Sequence, residues 1–225
     1  MQIIVFGVGQ LSEVISYYLE QDPAVNVAGY TVDRAFIPDT GKFLDKPVAA
    51  WEDISQHFPP DQYQLLGPIS YYDNNRLRKQ RYLEGKALGY SFASYVHPSS
   101  HIGGAQIGEN SVVLEECTVQ PFAILGVCSI LWSKVHIGHH TQVSDYCFFA
   151  SFCGVAGNAR IGERVFFGGQ TGLVDNTTVG DGCIVAAGTI ITKNLPANSF
   201  ATTQKARVLA DAADRFANKL LINRL

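Results

Sequence analysis

The chain has 225 residues, of which 47% are hydrophobic and 16% charged, and a formal net charge of −3 at pH 7. This balance excludes the clustered basic charge of a nucleic-acid binder and a like-charged tail, and no apolar run is long enough to span a bilayer. The length fits one large or two small domains, and the five cysteines contain no Cys-x-x-Cys metal or redox pair.

Residues 1–95 read as a small α/β domain. Met1-Gln2-Ile3-Ile4-Val5-Phe6 lacks the basic n-region and cleavage site of a signal peptide, so it reads as a first strand in a cytoplasmic protein. Gly7-Val8-Gly9-Gln10 follows as a turn. Leu11, Val14, Ile15, Tyr18 and Leu19 have helical spacing. Val25 to Val32 is a second strand ending at Asp33, residues 62–69 form a third apolar segment, and Arg76 to Leu88 is a helix closed by Gly89. The order β-α-β-α-β predicts a short Rossmann-like parallel sheet with right-handed crossovers. The Gly7–Gln10 loop leaves a strand and opens a helix, a setting in which backbone N–H groups receive a phosphate. No third glycine completes a dinucleotide fingerprint. Asp33, at the end of the second strand, is placed to hold a ribose or a base.

Residues 96–204 carry the strongest signal. Ile107, Val113, Val119, Leu125, Leu131, Ile137, Val143, Phe149, Val155, Ile161, Phe167, Leu173, Val179, Val185 and Ile191 fall six apart without a slip. No helix or simple strand holds such a period, and a six-residue unit predicts a parallel β-helix of triangular 18-residue coils. Cys117, Cys147, Cys153 and Cys183 each lie four residues after a core position, where Ser, Thr and Ala otherwise stand, so they read as small packing residues. Residues 205–225 predict an amphipathic helix, with Val208, Leu209, Ala212, Phe216, Leu220 and Leu221 on one stripe, capping the open end of the solenoid.

Chemistry concentrates in His136-Ile137-Gly138-His139-His140. Ile137 is a core position, so His139 and His140 occupy the turn after it. An amine or hydroxyl attacking a thioester must lose a proton, and a neutral imidazole is suited to take it.

The pairs Ile107-Gly108, Ile137-Gly138, Ile161-Gly162 and Val179-Gly180, with a small residue three positions after the Gly, resemble the hexapeptide pattern of left-handed β-helix acyltransferases. With the α/β domain in front, the whole chain resembles sugar acetyltransferases of the PglD and NeuD type. The resemblance implies the left-handed coil, a homotrimer, acetyl-CoA as co-substrate and no metal. It also implies N-acetylation of the amine of a nucleotide-linked amino-deoxy sugar, as used in surface glycan synthesis. By the resemblance His139 is the catalytic base, because Ala156-Gly157-Asn158 follows it at the family distance, with His136 second. His140 stands where the family has a carboxylate, Trp132 where it has a polar Asn, and Phe148 where a second histidine meets the acyl thioester. Gly7, Gly9, Gln10, Asp33, Arg34, Ser70, Asn75, Arg78 and Trp132 are implied on the substrate side. Ser70, Asn75 and Arg78 match a loop of the form G-x-x-x-x-N-x-x-R. Phe148, Gly157, Gly169, Ala187, Lys193 and Lys205 are implied on the coenzyme side, the small residues admitting a thin pantetheine arm.

Other readings stand beside this one: O-acylation of a sugar, transfer of a longer acyl chain, and a non-catalytic sugar-nucleotide sensor. A last alternative is a zinc hydro-lyase using His101, His136 and His140. For that enzyme the five-residue step from Ile102 to Ile107 predicts that His101 falls out of register.

Overall fold

The computed structural model describes residues 2–204 and 208–210. Strand β1 (Gln2–Phe6), helix α1 (Gln10–Glu20) and strand β2 (Asn26–Val32) come first in the chain. Strands β3 (Lys42–Phe43) and β4 (Lys46–Ala50), the short helix α2 (Ile54–His57), strand β5 (Gln64–Leu66) and helix α3 (Arg76–Ala87) follow. The sheet order is β3-β4-β2-β1-β5. Strands β4, β2, β1 and β5 are parallel, as the β-α-β pattern predicts, and β3 adds an antiparallel edge. The β3–β4 hairpin is not visible in the pattern, because its turn uses Leu44 and Asp45 at positive φ (47° and 62°) rather than Asn-Gly.

From Tyr95 to Ala201 the chain winds as a left-handed parallel β-helix with three faces. Face one carries Tyr95, Val112, Ile130, Phe148, Phe166, Ile184 and Phe200 on its outside. Face two carries His101, Thr118, His136, Gly154, Gly172 and Ile190, and face three carries Gln106, Ile124, Gln142, Arg160 and Thr178. Of the period-six residues, those from Val113 to Ile191 are buried and form one core, with Ile107 partly buried against it. Phe149 and Phe167 stack in that core with ring centroids 4.9 Å apart.

The corners explain how the period is kept. The third residue after each core position has positive φ without a break from Asn110 to Gly188. This conformation costs an L-residue roughly 1–2 kcal/mol, yet Phe122, Tyr146, Phe152 and Arg164 all adopt it. From Cys128 to Gly188 it turns the corner N–H toward the coil below, where it donates to a carbonyl: Tyr146 to Val127 (2.8 Å), Asn158 to His139 (2.9 Å), Arg164 to Asp145 (3.0 Å). At several of the slots four residues after a core position the side chain adds a second coil-to-coil bond. Thr141 Oγ1 donates to Ala156 O (3.0 Å), and the Cys147 and Cys153 thiols donate to Gly162 O and Gly168 O (3.1 Å each). Small residues were expected in that slot; Val135 and Val165 also occupy it, and the buried Ser129 and Thr189 hydroxyls there make no hydrogen bond among the described residues. All five cysteines are buried and free. Burial pushes the Cys117 thiol up to about 11 and the Cys147 thiol up to about 12.

The shortened step after Ile102 is absorbed in a corner at Gly104 (φ 81°) and does not disturb the register. His101 pairs with Thr118, and Thr118 pairs with His136. His101 is therefore in the same column as His136, two strand spacings away, which corrects the expected slip. The expected C-terminal helix falls mostly outside the described residues, since 205–207 and 211–225 are not among them. Val208 and Leu209 are described; they are exposed and not helical, unlike the expectation for these two residues.

Helix α1 packs on face one through Ile15 and Leu19, in a cluster with Val112, Leu114, Ile130 and Phe148. Helix α3 lies along the corner between faces three and one. Lys79 pairs with Glu163 (2.7 Å), Lys86 pairs with Glu109 (2.9 Å), and Asn74 donates to Gly182 O (2.9 Å).

Two stability outcomes follow from the coil geometry. Phe149→Ala opens a cavity between stacked rings and should cost about 3–5 kcal/mol in urea unfolding. Gln170 is exposed with φ 59°. Gln170→Asn should stabilise by about 0.5–1 kcal/mol, read as a thermal midpoint raised by about 1–4 °C.

Candidate active site

Two regions of the chain hold the candidate residues, and they lie on different sides of the coil. The first is a cleft of about 670 Å³ where α1 meets face one. Its walls are Gln10, Leu11, Glu13 and Val14 from the first turn of α1, Ser70 and Tyr71 from the β5–α3 loop, and Trp132, Phe148, Ala150 and Ser151 from the coils. Gln10, Ser70 and Trp132, all expected on the substrate side, thus converge. Gly7 opens the cleft's helix: its φ is 112°, a Cβ there would collide with Ser12 Oγ, and Gly9 is the N-cap residue of α1 without a side-chain cap. Ser12 Oγ instead bonds Phe6 O (3.2 Å).

Tyr71 is the wall residue that sequence reasoning missed. Its ring is half exposed and rests on Phe166 (4.5 Å) and Phe148 (5.1 Å). The signal available was the aromatic pair Tyr71-Tyr72 next to Ser70. Phe148, expected on the coenzyme side, is only 3% exposed under Tyr71 and belongs to this cleft.

Asn75 and Arg78 are corrected. Both are fully buried and have no surface to offer a ligand. The Arg78 guanidinium donates to Ile69 O (2.7 Å), Ser70 O (3.1 Å) and Asn75 Oδ1 (2.9 Å) on the loop side. Toward the coils it donates to Cys128 O (2.8 Å), Tyr146 O (2.7 Å) and Cys147 O (3.2 Å). Burial pulls it down to about 10, so it remains a cation at neutral pH. Asn75 holds φ 65° and donates to Arg164 O (3.2 Å). These residues fasten the Ser70–Tyr71 loop to the coils. Asp33 and Arg34 are also outside the cleft lining. Asp33 accepts from Arg81 Nη2 (2.8 Å), and Arg34 pairs with Asp53 while its backbone N–H reaches Glu52 (3.1 Å). Desolvation lowers the Arg81 guanidinium, but Asp33 and Glu84 outweigh it and raise it overall.

The second region is the corner between faces two and three. His139 stands there in a column with Pro121 below and Gly157, Asp175 and Lys193 above, as the 18-residue coil requires. The His139 ring is exposed and fills the space that a side chain at Gly157 would need: a Cβ there would lie 2.6 Å from Cε1 and 2.7 Å from Nε2. Gly157 is thus used by the histidine itself. Its N–H donates to Asp175 Oδ1 (3.0 Å), and the His139 N–H donates to Gln120 Oε1 (2.9 Å). His140, at φ 57°, brings its Nδ1 to 3.1 Å from His139 Nδ1 and packs its ring on Phe122 (4.8 Å).

Face two, beside this corner, bears a groove of about 460 Å³ with His136 and Ile190 among its lining and the strand glycines Gly154 and Gly172 in its floor. Gly169 and Ala187 lie on the opposite edge of that face, in the corner shared with face one. Lys193 is exposed, three coils above His139, or about 14 Å at the strand spacing. Lys205 lies outside the described residues. Among the described residues no three His, Cys, Asp or Glu side chains are grouped to hold a metal ion, and no helix is long and apolar enough to cross a membrane.

Residues 158–193 match the model described as hexapeptide repeat of succinyl-transferase. A UDP-3-O-acylglucosamine N-acyltransferase of Caulobacter sp. (strain K31) is 32% identical over 106 residues, 47% of this chain and 31% of that protein. An acyl-[acyl-carrier-protein]–UDP-N-acetylglucosamine O-acyltransferase of Helicobacter pylori (strain Shi470) is 29% identical over 97 residues, 40% of this chain and 36% of that protein. The chain therefore spans about a third of the length of these curated relatives. Among solved structures, the acetyltransferase domain of PglB from Neisseria gonorrhoeae FA1090 superposes with a TM-score of 0.79 at 23% identity, over 92% of this chain and 99% of that one. A mutant perosamine N-acetyltransferase from Caulobacter crescentus, solved with CoA and GDP-perosamine, superposes with a TM-score of 0.81 at 21% identity, over 94% and 98%. The resemblance to hexapeptide-repeat transferases with an α/β front and a left-handed β-helix is borne out at the level of fold.

The packing of His139 over Gly157 makes a direct prediction. Gly157→Ala should displace the imidazole while the coil stays folded. The check is the His139 Cε1–H resonance by NMR, which should shift while the thermal midpoint falls by less than about 4 °C, the equivalent of roughly 1 kcal/mol.

Proposed function

We propose that the protein is an acetyl-CoA-dependent N-acetyltransferase that acts on the amine of a nucleotide-linked amino-deoxy sugar in surface glycan synthesis. The observation that carries this reading is the exposed His139 imidazole, seated over a bare glycine at a coil corner and beside a groove floored by glycines. His139 Nε2 takes the proton from the amine as its nitrogen attacks the thioester carbonyl. The tetrahedral intermediate then collapses, the C–S bond breaks and CoA leaves as the thiol once it is protonated. Backbone N–H groups of a neighbouring corner stabilise the oxyanion.

The acceptor enters the cleft between α1 and face one. Its diphosphate meets the free N–H groups at the start of α1, beyond Gly7, Gly9 and Gln10, and its sugar lies against Trp132, Ser70 and Tyr71. The pantetheine arm lies along face two between the column of His139 and the column of Gly169 and Ala187, with Lys193 toward the coenzyme phosphates. CoA and GDP-perosamine in the Caulobacter structure, and acetyl-CoA with the PglB domain, support the two ligand classes, a coenzyme A thioester and a nucleotide-linked sugar.

In one chain the cleft and the histidine corner are separate, because face one and the corner of faces two and three are different sides of the coil. A homotrimer joins them by setting the corner of one subunit against face one of the next. The same arrangement would turn over a longer acyl-CoA or a sugar hydroxyl, so the acceptor test includes both.

The test is CoA release from acetyl-CoA and longer acyl-CoAs over a panel of UDP-, dTDP- and GDP-linked amino sugars and their hydroxyl analogues. One amino sugar should be turned over well above the others. His139→Ala should lower kcat by about 10²–10⁴-fold with KM for acetyl-CoA nearly unchanged. Wild-type turnover by His139→Ala would overturn the reading.

A further inference from the structure

We propose that Glu13 is a specificity-determining residue of the acceptor cleft: its carboxylate takes hydrogen bonds from a neutral or amino sugar and turns away a sugar that carries an acid group, such as a uronic acid. The inference deepens the proposed function and rests on the cleft between α1 and face one being the acceptor site.

Seven of the eight glutamates of the chain bond a lysine, another side-chain donor or a backbone N–H, as Glu163 does with Lys79 (2.7 Å) and Glu115 with Tyr18 (3.0 Å). Glu13 is the exception. Among the described residues its carboxylate has no hydrogen bond and no ion pair. It is exposed, stands in the first turn of α1 and lines the cleft. The other polar side chains of that lining are Gln10, Ser70, Tyr71 and Ser151, and they too make no side-chain hydrogen bond among the described residues. Asn75 and Arg78, just behind the same wall, are by contrast fully engaged with the backbone and with each other. The hydrogen-bonding groups that remain uncommitted are thus the ones that face the cleft.

The lining is aromatic and polar and holds no positive charge. Among the described residues no Lys, Arg or His belongs to it, and Glu13 is its one charged group. Trp132, Tyr71 and Phe148 give a flat apolar surface on which the C–H face of a sugar ring packs. Gln10 and the three hydroxyls can donate or accept, whereas a carboxylate only accepts, so Glu13 calls for an O–H or N–H on the ligand. A carboxylate on the ligand has neither to offer. It would meet a like charge, and no cation of the lining offsets the repulsion. A cleft of about 670 Å³ is only about 10 Å across, so an acid on any carbon of the sugar stays within the ~10 Å over which charges act in 0.1 M salt. The diphosphate is common to every nucleotide sugar and does not distinguish one sugar from another. A carboxylate in the first turn also favours the helix itself, so the test reads specificity rather than stability.

The test is isothermal titration of the full-length protein, without coenzyme, using two matched pairs of probes: UDP-glucose with UDP-glucuronic acid, and GDP-mannose with GDP-mannuronic acid. The members of a pair differ only in the C6 group, hydroxymethyl or carboxylate, so the nucleotide and the diphosphate cancel in the ratio of their Kd values. For a pair that binds, the wild type should hold the neutral member about 5–20-fold more tightly at low salt. Glu13→Gln keeps the shape of the side chain and should bring the two members within about twofold. Glu13→Lys should reverse the preference. Raising the salt to about 1 M should narrow the wild-type ratio. Thermal midpoints are measured alongside, because a merely structural role would move the midpoint and leave the ratio alone. A wild-type ratio near one, or a ratio unchanged in both variants, sinks the role of Glu13 while the binding itself keeps the nucleotide-sugar reading. Binding of neither pair to the wild type overturns that reading and this inference with it.

Discussion

The coil depends on one backbone interaction, the corner N–H that reaches down to the coil beneath it. Strand pairing joins successive coils along each face, with bonds such as Gly154 N–H to Thr171 O (2.9 Å), and the corner N–H continues that coil-to-coil ladder where the two-residue strands end. From Cys128 to Gly188 the left-handed corner residue aims its N–H along the coil axis, and Asn158 to His139 O (2.9 Å) is one of the resulting bonds. Bulky residues accept a disfavoured conformation because the alternative is a buried donor without a partner, which costs more. The same constraint presents His140 at φ 57° and sets its ring against that of His139. The regularity that builds the scaffold therefore also builds the histidine turn.

A second constraint joins the α/β unit to the coils. Arg78 is a buried cation whose donors are divided between the β5–α3 loop and the carbonyls of Cys128, Tyr146 and Cys147. A buried guanidinium is tolerated only when its N–H groups are satisfied, and here they tie two pieces of the fold together. Three consecutive left-handed residues, Asp73 to Asn75, shape the loop so that its carbonyls meet that charge. Ser70 and Tyr71 are held over Phe148 as a consequence, and the cleft has a fixed wall.

Much of the fold was legible because it is periodic. The core residues from Ile107 to Ile191, the strand-turn-helix at Gly7 to Leu19 and the helix from Arg76 are all local patterns. The β3–β4 hairpin was not legible, since Leu44 and Asp45 are weak turn residues whose conformation is imposed by pairing of β4 with β2. Part of the site was legible for the same reason as the fold: an 18-residue coil places Gly157 over His139 by counting alone. Asn75 and Arg78 were misread because a polar loop motif looks alike whether its side chains meet a ligand or a neighbouring backbone. The ion pairs of Asp33 with Arg81 and of Arg34 with Asp53 were not legible, because these partners are remote in sequence.

The sequence by itself determined the repeat, its six-residue register, the α/β unit before it and the turn in which two histidines stand together. These are consequences of spacing along one chain, where neighbours in space are neighbours at a fixed count. Tertiary structure alone decided which polar residues face solvent and which are consumed inside. It buried Arg78 under the loop it supports, drew Tyr71 onto Phe148 and Phe166, and put the cleft and the histidine corner on different sides of the coil. Those outcomes follow from contacts between segments roughly fifty to a hundred residues apart, whose geometry is set by packing and by the need to satisfy buried donors, and no local spacing encodes it.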